Sequence, residues 1–181
     1  MVPGRVTLHG LRTSHLARHR RGYCLKGTYL LILRLDEAIA RLPIGRLGAL
    51  TFPAGYYLYV GSAFGPGGVA ARLAHHARRV KPRRHWHIDY LRERSHLVEA
   101  WSVACTERLE HAWVRALNAT PGVQPVAPGF GASDSPCASH LFLSASRPPA
   151  QRLTDALLST VDTALSCACH MTIEVHTFHD Q

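Results

Sequence analysis

A chain of 181 residues that is 46% hydrophobic and 18% charged can bury a real core, which excludes a disordered or purely fibrous protein. A formal net charge of +9 and a pI of about 9.9 point to a polyanionic partner, nucleic acid first and an anionic membrane second. No apolar run approaches the roughly 20 residues of a spanning helix, so no membrane insertion is expected. The five scattered cysteines Cys24, Cys105, Cys137, Cys167 and Cys169 do not form a disulfide framework and fit a reducing cytoplasm.

Residues 1–21 are rich in Arg and His and hold no acid; the first acidic residue is Asp36. The segment lacks the apolar centre of a secretory signal. Three readings stay open for it: a disordered basic leader that tracks phosphates, a tail of no function, and an Arg-rich transit peptide.

The compact domain is expected over residues 22–146. Gly27–Leu35 is a short apolar run and reads as a buried strand. Ile44–Phe52, interrupted by Gly45 and Gly48, reads as a second strand or an irregular arm. Tyr56–Ser62 is aromatic and β-branched, so it reads as a strand, followed by a loop at Phe64–Gly68. Val69–Arg79 reads as a helix that Lys81-Pro82 terminates, because the residue before proline avoids the helical region. His96–Ala104 reads as a strand. Thr106–Leu117 reads as a helix, with Thr106 as N-cap and Leu109, Trp113 and Leu117 at core spacing. Pro121–Pro136 is a long Gly/Pro/Ser loop, and His140–Ser144 a last short strand. Arg147-Pro148-Pro149 marks a boundary. Residues 147–181 then form an extension, with a helix over Gln151–Leu165 and a strand over Met171–Phe178, serving as a cap on the domain or as a dimer contact.

Chemistry concentrates in five places along this order. Gly27-Thr28-Tyr29 and Tyr59-Val60-Gly61 each set a tyrosine beside a glycine on a strand. Arg72 and His76 follow, four residues apart on one helix face. Phenols, a guanidinium and an imidazole together suit holding or cutting a phosphodiester. Singly, each of these residues reads as a strand aromatic, a solvated arginine or a half-buried histidine. The run Arg78, Arg79, Lys81, Arg83, Arg84 comes next and reads as a phosphate-tracking patch, with His85 and His87 as further contacts. His85, His87 and Asp89 share one face if the segment is a strand, and His85 and Asp89 do if it is a helix. They could contact phosphate or add a metal ligand. Cys167-Ala168-Cys169-His170 is a weak zinc pattern, with no second pair to complete it.

Taken in order, these motifs resemble the GIY-YIG nuclease superfamily, and more narrowly a branch of uncharacterised GIY-YIG-like domains. The resemblance covers roughly residues 25–145. It also rests on Phe52-Pro53-Ala54-Gly55-Tyr56-Tyr57-Leu58-Tyr59-Val60-Gly61-Ser62-Ala63, on His85-Trp86-His87-Ile88-Asp89-Tyr90-Leu91, and on Gly129-Phe130-Gly131 leading to Cys137 and Ser139-His140-Leu141-Phe142. It implies an α+β fold, a small antiparallel sheet flanked by helices, and a metal-dependent endonuclease that hydrolyses DNA phosphodiesters, in repair or branched-DNA processing. By the same resemblance, Tyr29 and Tyr59 are the motif tyrosines, one of which helps deprotonate the attacking water. Arg72 holds the scissile phosphate, His76 is the second helix residue, and Glu110 binds one Mg2+ or Mn2+ ion. DNA is the implied partner, with a repair protein as a further one. The family's asparagine after the acidic helix has no convincing match, since Asn118 lies too close to the helix end. The loop offers Ser133, Asp134, Cys137, Ser139 and His140 instead. Two other readings follow from that departure: a DNA-binding module without turnover, and a structural or partner-binding domain.

Overall fold

The computed structural model describes residues 25–133, 135–164 and 172–178. Asp134, Cys24 and the Cys167–His170 segment lie outside the described residues, as does the basic leader.

The strand β1 (Gly27–Leu35) is apolar at both parities and is buried on both faces, as a central strand must be. It pairs antiparallel with β4 (Gly55–Ser62) on one side and with β5 (His96–Ala104) on the other. β7 (Leu141–Ser144) and the two-residue β6 (Gln124–Pro125) extend the sheet beyond β4. β8 (Glu174–Thr177) closes the far edge against β5. The order is β6-β7-β4-β1-β5-β8, and every pairing is antiparallel. The fold is therefore α+β, a six-stranded antiparallel sheet flanked by helices. Residues of the C-terminal extension complete it, since β8 is its sixth strand and the helix α4 (Ala150–Ala164) sets Leu153 and Leu157 into the core.

Side chains alternate across β1, so one strand feeds two cores. Tyr29, Leu31, Leu33 and Leu35 face a layer made by α1 (Gly68–Ala77), α2 (His87–Arg92) and a small hairpin of β2 (Ile39–Pro43) and β3 (Ala49–Phe52). Leu30 and Ile32 face Trp101, Trp113, Leu153 and Leu157 beneath α3 (Glu110–Asn118) and α4. Burying each such leucine is worth about 1.5–3 kcal/mol. The antiparallel register sets Leu31 opposite Tyr59 and Tyr29 opposite Gly61, which puts both motif tyrosines on the α1/α2 face.

Several boundaries differ from the sequence reading, two of them for a visible reason. Ile44–Phe52 is not one strand: Gly45–Leu47 forms a single 3-10 turn at the tip of the β2–β3 hairpin, where Ile44 is fully buried. The helix expected from Thr106 begins at Glu110. A tertiary contact overrides the local N-cap signal, because the Leu109 amide donates to Thr28 Oγ1 at 3.2 Å and Leu109 is 1% exposed. Only then does the helical ladder start, with Trp113 N donating to Leu109 O at 2.9 Å.

Candidate active site

The centre of the α1/α2 face is a buried cluster of three polar side chains, of which Tyr29 and His76 are hydrogen-bonded and Asp89 lies beside them. Tyr29 reaches off β1 to His76 on α1, with its hydroxyl 2.9 Å from Nε2. Gly61 makes this possible, since a Cβ there would clash with the hydroxyl end of the Tyr29 ring, 2.4 Å from both Cζ and the hydroxyl oxygen. His76 is 0% exposed, and burial lowers its pKa to about 3, with Asp89 opposing the shift. The ring is thus neutral at pH 7. Burial, reinforced by Tyr59, raises the Tyr29 pKa well above its ordinary value, so Tyr29 is a neutral phenol that donates to Nε2. The remaining ring nitrogen, Nδ1, then carries the proton and lies 4.0 Å from Asp89 Oδ1.

Asp89 is the hub. It occupies the third position of α2, where its Oδ2 accepts the amides of His85 at 2.8 Å and Trp86 at 3.1 Å. Its Oδ1 accepts His75 Nε2 at 3.0 Å and pairs with Lys81 Nζ at 3.1 Å. Burial alone would raise its pKa, but the two amides and Lys81 outweigh it and hold the carboxyl below its usual range. His75, His76 and Asp89 offer ligand atoms within 4.8 Å of one another. Lys81 already neutralises that carboxylate, so the group makes a poor cation site.

Around this cluster stand the other residues drawn from the sequence. Arg72, one turn before His76 on α1, lies over the Trp86 ring at 4.2 Å from its centroid. Trp86 also packs edge-on against His75 and His85 at 4.7 and 4.6 Å, so it holds the basic side chains in place. Glu110, first residue of α3, is half-buried, with Arg108 Nη1 3.8 Å from Oε1. Tyr59, Arg72, Asp89 and Glu110 all act electrostatically on the Tyr29 hydroxyl, and Arg72 alone among them favours its ionised form. Tyr29, Tyr59 and His76 therefore share the α1/α2 side of the sheet with Arg72, whereas Glu110 opens α3, the helix packed on the other face.

The basic run divides in two. Lys81 is not a phosphate-tracking residue: its side chain is 2% exposed and committed to Asp89. Arg79, Arg83 and Arg84 are exposed as expected. Arg84 makes a bidentate pair with Glu93, at 2.9 and 2.7 Å, and lies over Tyr90, while Arg79 donates to the Glu93 carbonyl at 3.2 Å. The strand alternative for His85–Asp89 does not hold, because α2 begins at His87 and Asp89 turns back to cap it. His85 is exposed, and His87 Nδ1 accepts the Gly131 amide at 3.2 Å.

Cys137 and His140 lie on the loop that enters β7. Gly131, at φ +70°, lets Tyr59 and His140 approach, since a Cβ there would meet Tyr59 Cε2 at 2.8 Å and His140 Cβ at 3.1 Å. The sequence reading missed His75, Trp86 as a platform, the burial of Lys81, and His111 on α3. A single histidine on an amphipathic helix carries no sequence signal.

Among the described residues, no helix is long and apolar enough to cross a membrane. No curated protein and no solved structure matches the chain. The model of the family described as a domain of unknown function, DUF123, matches residues 28–163. That stretch holds the whole Tyr29–His76–Asp89 cluster together with Tyr59, Arg72 and Glu110, and the protein belongs to the DUF123 family.

Proposed function

We propose that this domain is a metal-dependent endonuclease of the GIY-YIG kind that hydrolyses DNA phosphodiesters. The observation that carries the reading is the Tyr29–His76 hydrogen bond, with Arg72 one helical turn before His76 and Tyr59 on the same side of the sheet. Arg72 binds two oxygens of the scissile phosphate with its planar guanidinium, held in place by Trp86. Tyr29 is a neutral phenol hydrogen-bonded to neutral His76, so its part is to fix the imidazole and hold the site's geometry rather than to act as a phenolate base. Tyr59, the other motif tyrosine, would orient the attacking water. The Glu110 carboxylate fits a hard divalent ion that keeps waters in its other positions. Such an ion, Mg2+ or Mn2+, would stabilise charge on the leaving oxygen. The exposed Arg79 and Arg83 lie close in sequence to Arg72 and would track the flanking phosphates.

A DNA-binding module without turnover is the second reading. Arg108, 3.8 Å from Glu110 Oε1, favours it, because a resident guanidinium competes with a metal for that carboxylate. The two readings part in one assay: purified protein with Mg2+ or Mn2+ on linear, nicked, forked and looped DNA. Cleavage lost in Glu110→Gln, with binding retained, supports the nuclease. Salt-dependent binding with no cleavage of any substrate supports the module.

A further inference from the structure

The described residues contain a second cluster of ligating side chains, built from nitrogen and sulfur rather than oxygen. His111 stands in the first turn of α3, and Cys137 and His140 lie on the loop that enters β7. One ring nitrogen of each histidine and the Cys137 Sγ all lie within 4.8 Å of one another. The Ser135 hydroxyl sits between the rings, 3.1 Å from His111 Nε2 and 2.9 Å from His140 Nε2, and accepts the Cys137 amide at 3.2 Å. The two imidazoles therefore already aim at one point.

The loop that carries Cys137 and His140 is held on both strands of its path. Gly129 N donates to Ala138 O at 2.7 Å and His140 N to Phe130 O at 2.9 Å. Ser139 Oγ donates to Val126 O at 2.7 Å and accepts the Leu141 amide at 3.0 Å. The His140 carbonyl accepts Val60 N at 3.0 Å, which ties the loop to β4. Such anchoring keeps the ligand directions fixed before any ion arrives.

We infer that His111, Cys137 and His140 bind one thiophilic divalent transition metal of the zinc class. Two imidazoles and a thiolate suit zinc or cobalt and are poor ligands for magnesium or calcium. Tetrahedral bonds of about 2.0–2.3 Å place ligand atoms about 3.3–3.8 Å apart, so the cluster must contract by about 1 Å. Rotation of the Ser135 hydroxyl out from between the rings allows that movement. Binding deprotonates the Cys137 thiol, so uptake of the ion releases a proton. Three protein ligands leave a fourth position for a water or substrate atom. The site is distinct from the Glu110 carboxylate and does not depend on nuclease activity.

Cobalt(II) is the probe, because its thiolate complexes give a charge-transfer band and a tetrahedral site gives strong visible absorption. The titration uses the full chain carrying Cys167→Ser and Cys169→Ser, so that this pair does not compete. The expected result is one cobalt per chain, with a thiolate band that zinc abolishes by displacement and that Glu110→Gln leaves unchanged. Cys137→Ser removes the band. His111→Gln weakens binding by more than the ~100-fold upper range seen for residues that only support a ligand. His111 is half-buried, so this variant carries the test if circular dichroism shows that Cys137→Ser does not fold. A saturated titration without a thiolate band, a band that survives Cys137→Ser in folded protein, or unchanged affinity in His111→Gln overturns the inference.

Discussion

The Tyr29 hydroxyl and His76 Nε2 meet at 2.9 Å inside the fold, one arriving from the central strand and the other from α1. Both are buried, at 4% and 0% exposure, so the pair is a structural joint. Tyr29→Phe removes the donor and leaves Nε2 buried without it. The expected cost is about 1–3 kcal/mol, read as a lower urea midpoint with an unchanged m-value. Wild-type stability in Tyr29→Phe would show that the bond contributes nothing net.

Acid should act on the same joint. The unfolded His76 imidazole titrates near its ordinary 6.5, whereas the folded ring titrates at about 3. Between those values the unfolded chain binds more protons, so stability falls as pH falls through that window. The contribution is fully present above pH 6.5 and fades at up to ~1.4 kcal/mol per pH unit below it. Chemical denaturation from pH 7 to pH 4.5 should show that slope, and His76→Gln should reduce it. Equal slopes in wild type and variant would place the acid sensitivity in other histidines.

Much of this was legible in the sequence and some was not. The run Gly27–Leu35 reads as a strand from its apolar continuity alone, and Tyr29, Tyr59, Arg72 and His76 stand out by type and order. Glu110 is singled out by resemblance alone, and the helix that carries it starts later than Thr106 suggests. The local capping signal there lost to the Thr28 hydroxyl, 81 residues away in sequence, which no window can see. Lys81 read as one more cation in a basic run because its partner Asp89 lies across a turn and α2. Burial of a charge is a tertiary fact. The β2 strand went unread because its Ile39–Pro43 segment alternates weakly and is mostly exposed.

Lys81 and Arg83 should therefore behave as opposites, although they are two residues apart. Lys81→Ala leaves the Asp89 carboxylate buried without its cation and should cost about 3–5 kcal/mol in denaturation. Arg83→Ala should leave stability unchanged and reduce the slope of log affinity for DNA against log salt by about 0.9. A stable Lys81→Ala variant with a shallower salt slope would mean that the lysine is a phosphate ligand after all.

Gly61 is required by contact rather than by backbone angle. Gly61→Ala places a methyl against the hydroxyl end of the Tyr29 ring and must move either the strand or the ring. We expect a loss of roughly 1–3 kcal/mol, with altered near-ultraviolet circular dichroism from the displaced tyrosine. An unchanged spectrum and midpoint would contradict the packing described for the two motif strands.

The nuclease account rests most directly on cleavage of forked or nicked DNA with Mg2+ or Mn2+, measured for wild type, Arg72→Ala and Glu110→Gln side by side with DNA binding. Wild type should cut only with metal. Arg72→Ala should lose about a hundredfold to a thousandfold in rate, the usual cost of one preorganised donor to the reacting group. Glu110→Gln should bind DNA as wild type does and cut at no detectable rate. Wild-type protein that binds these substrates yet cuts none of them with either metal would contradict the account.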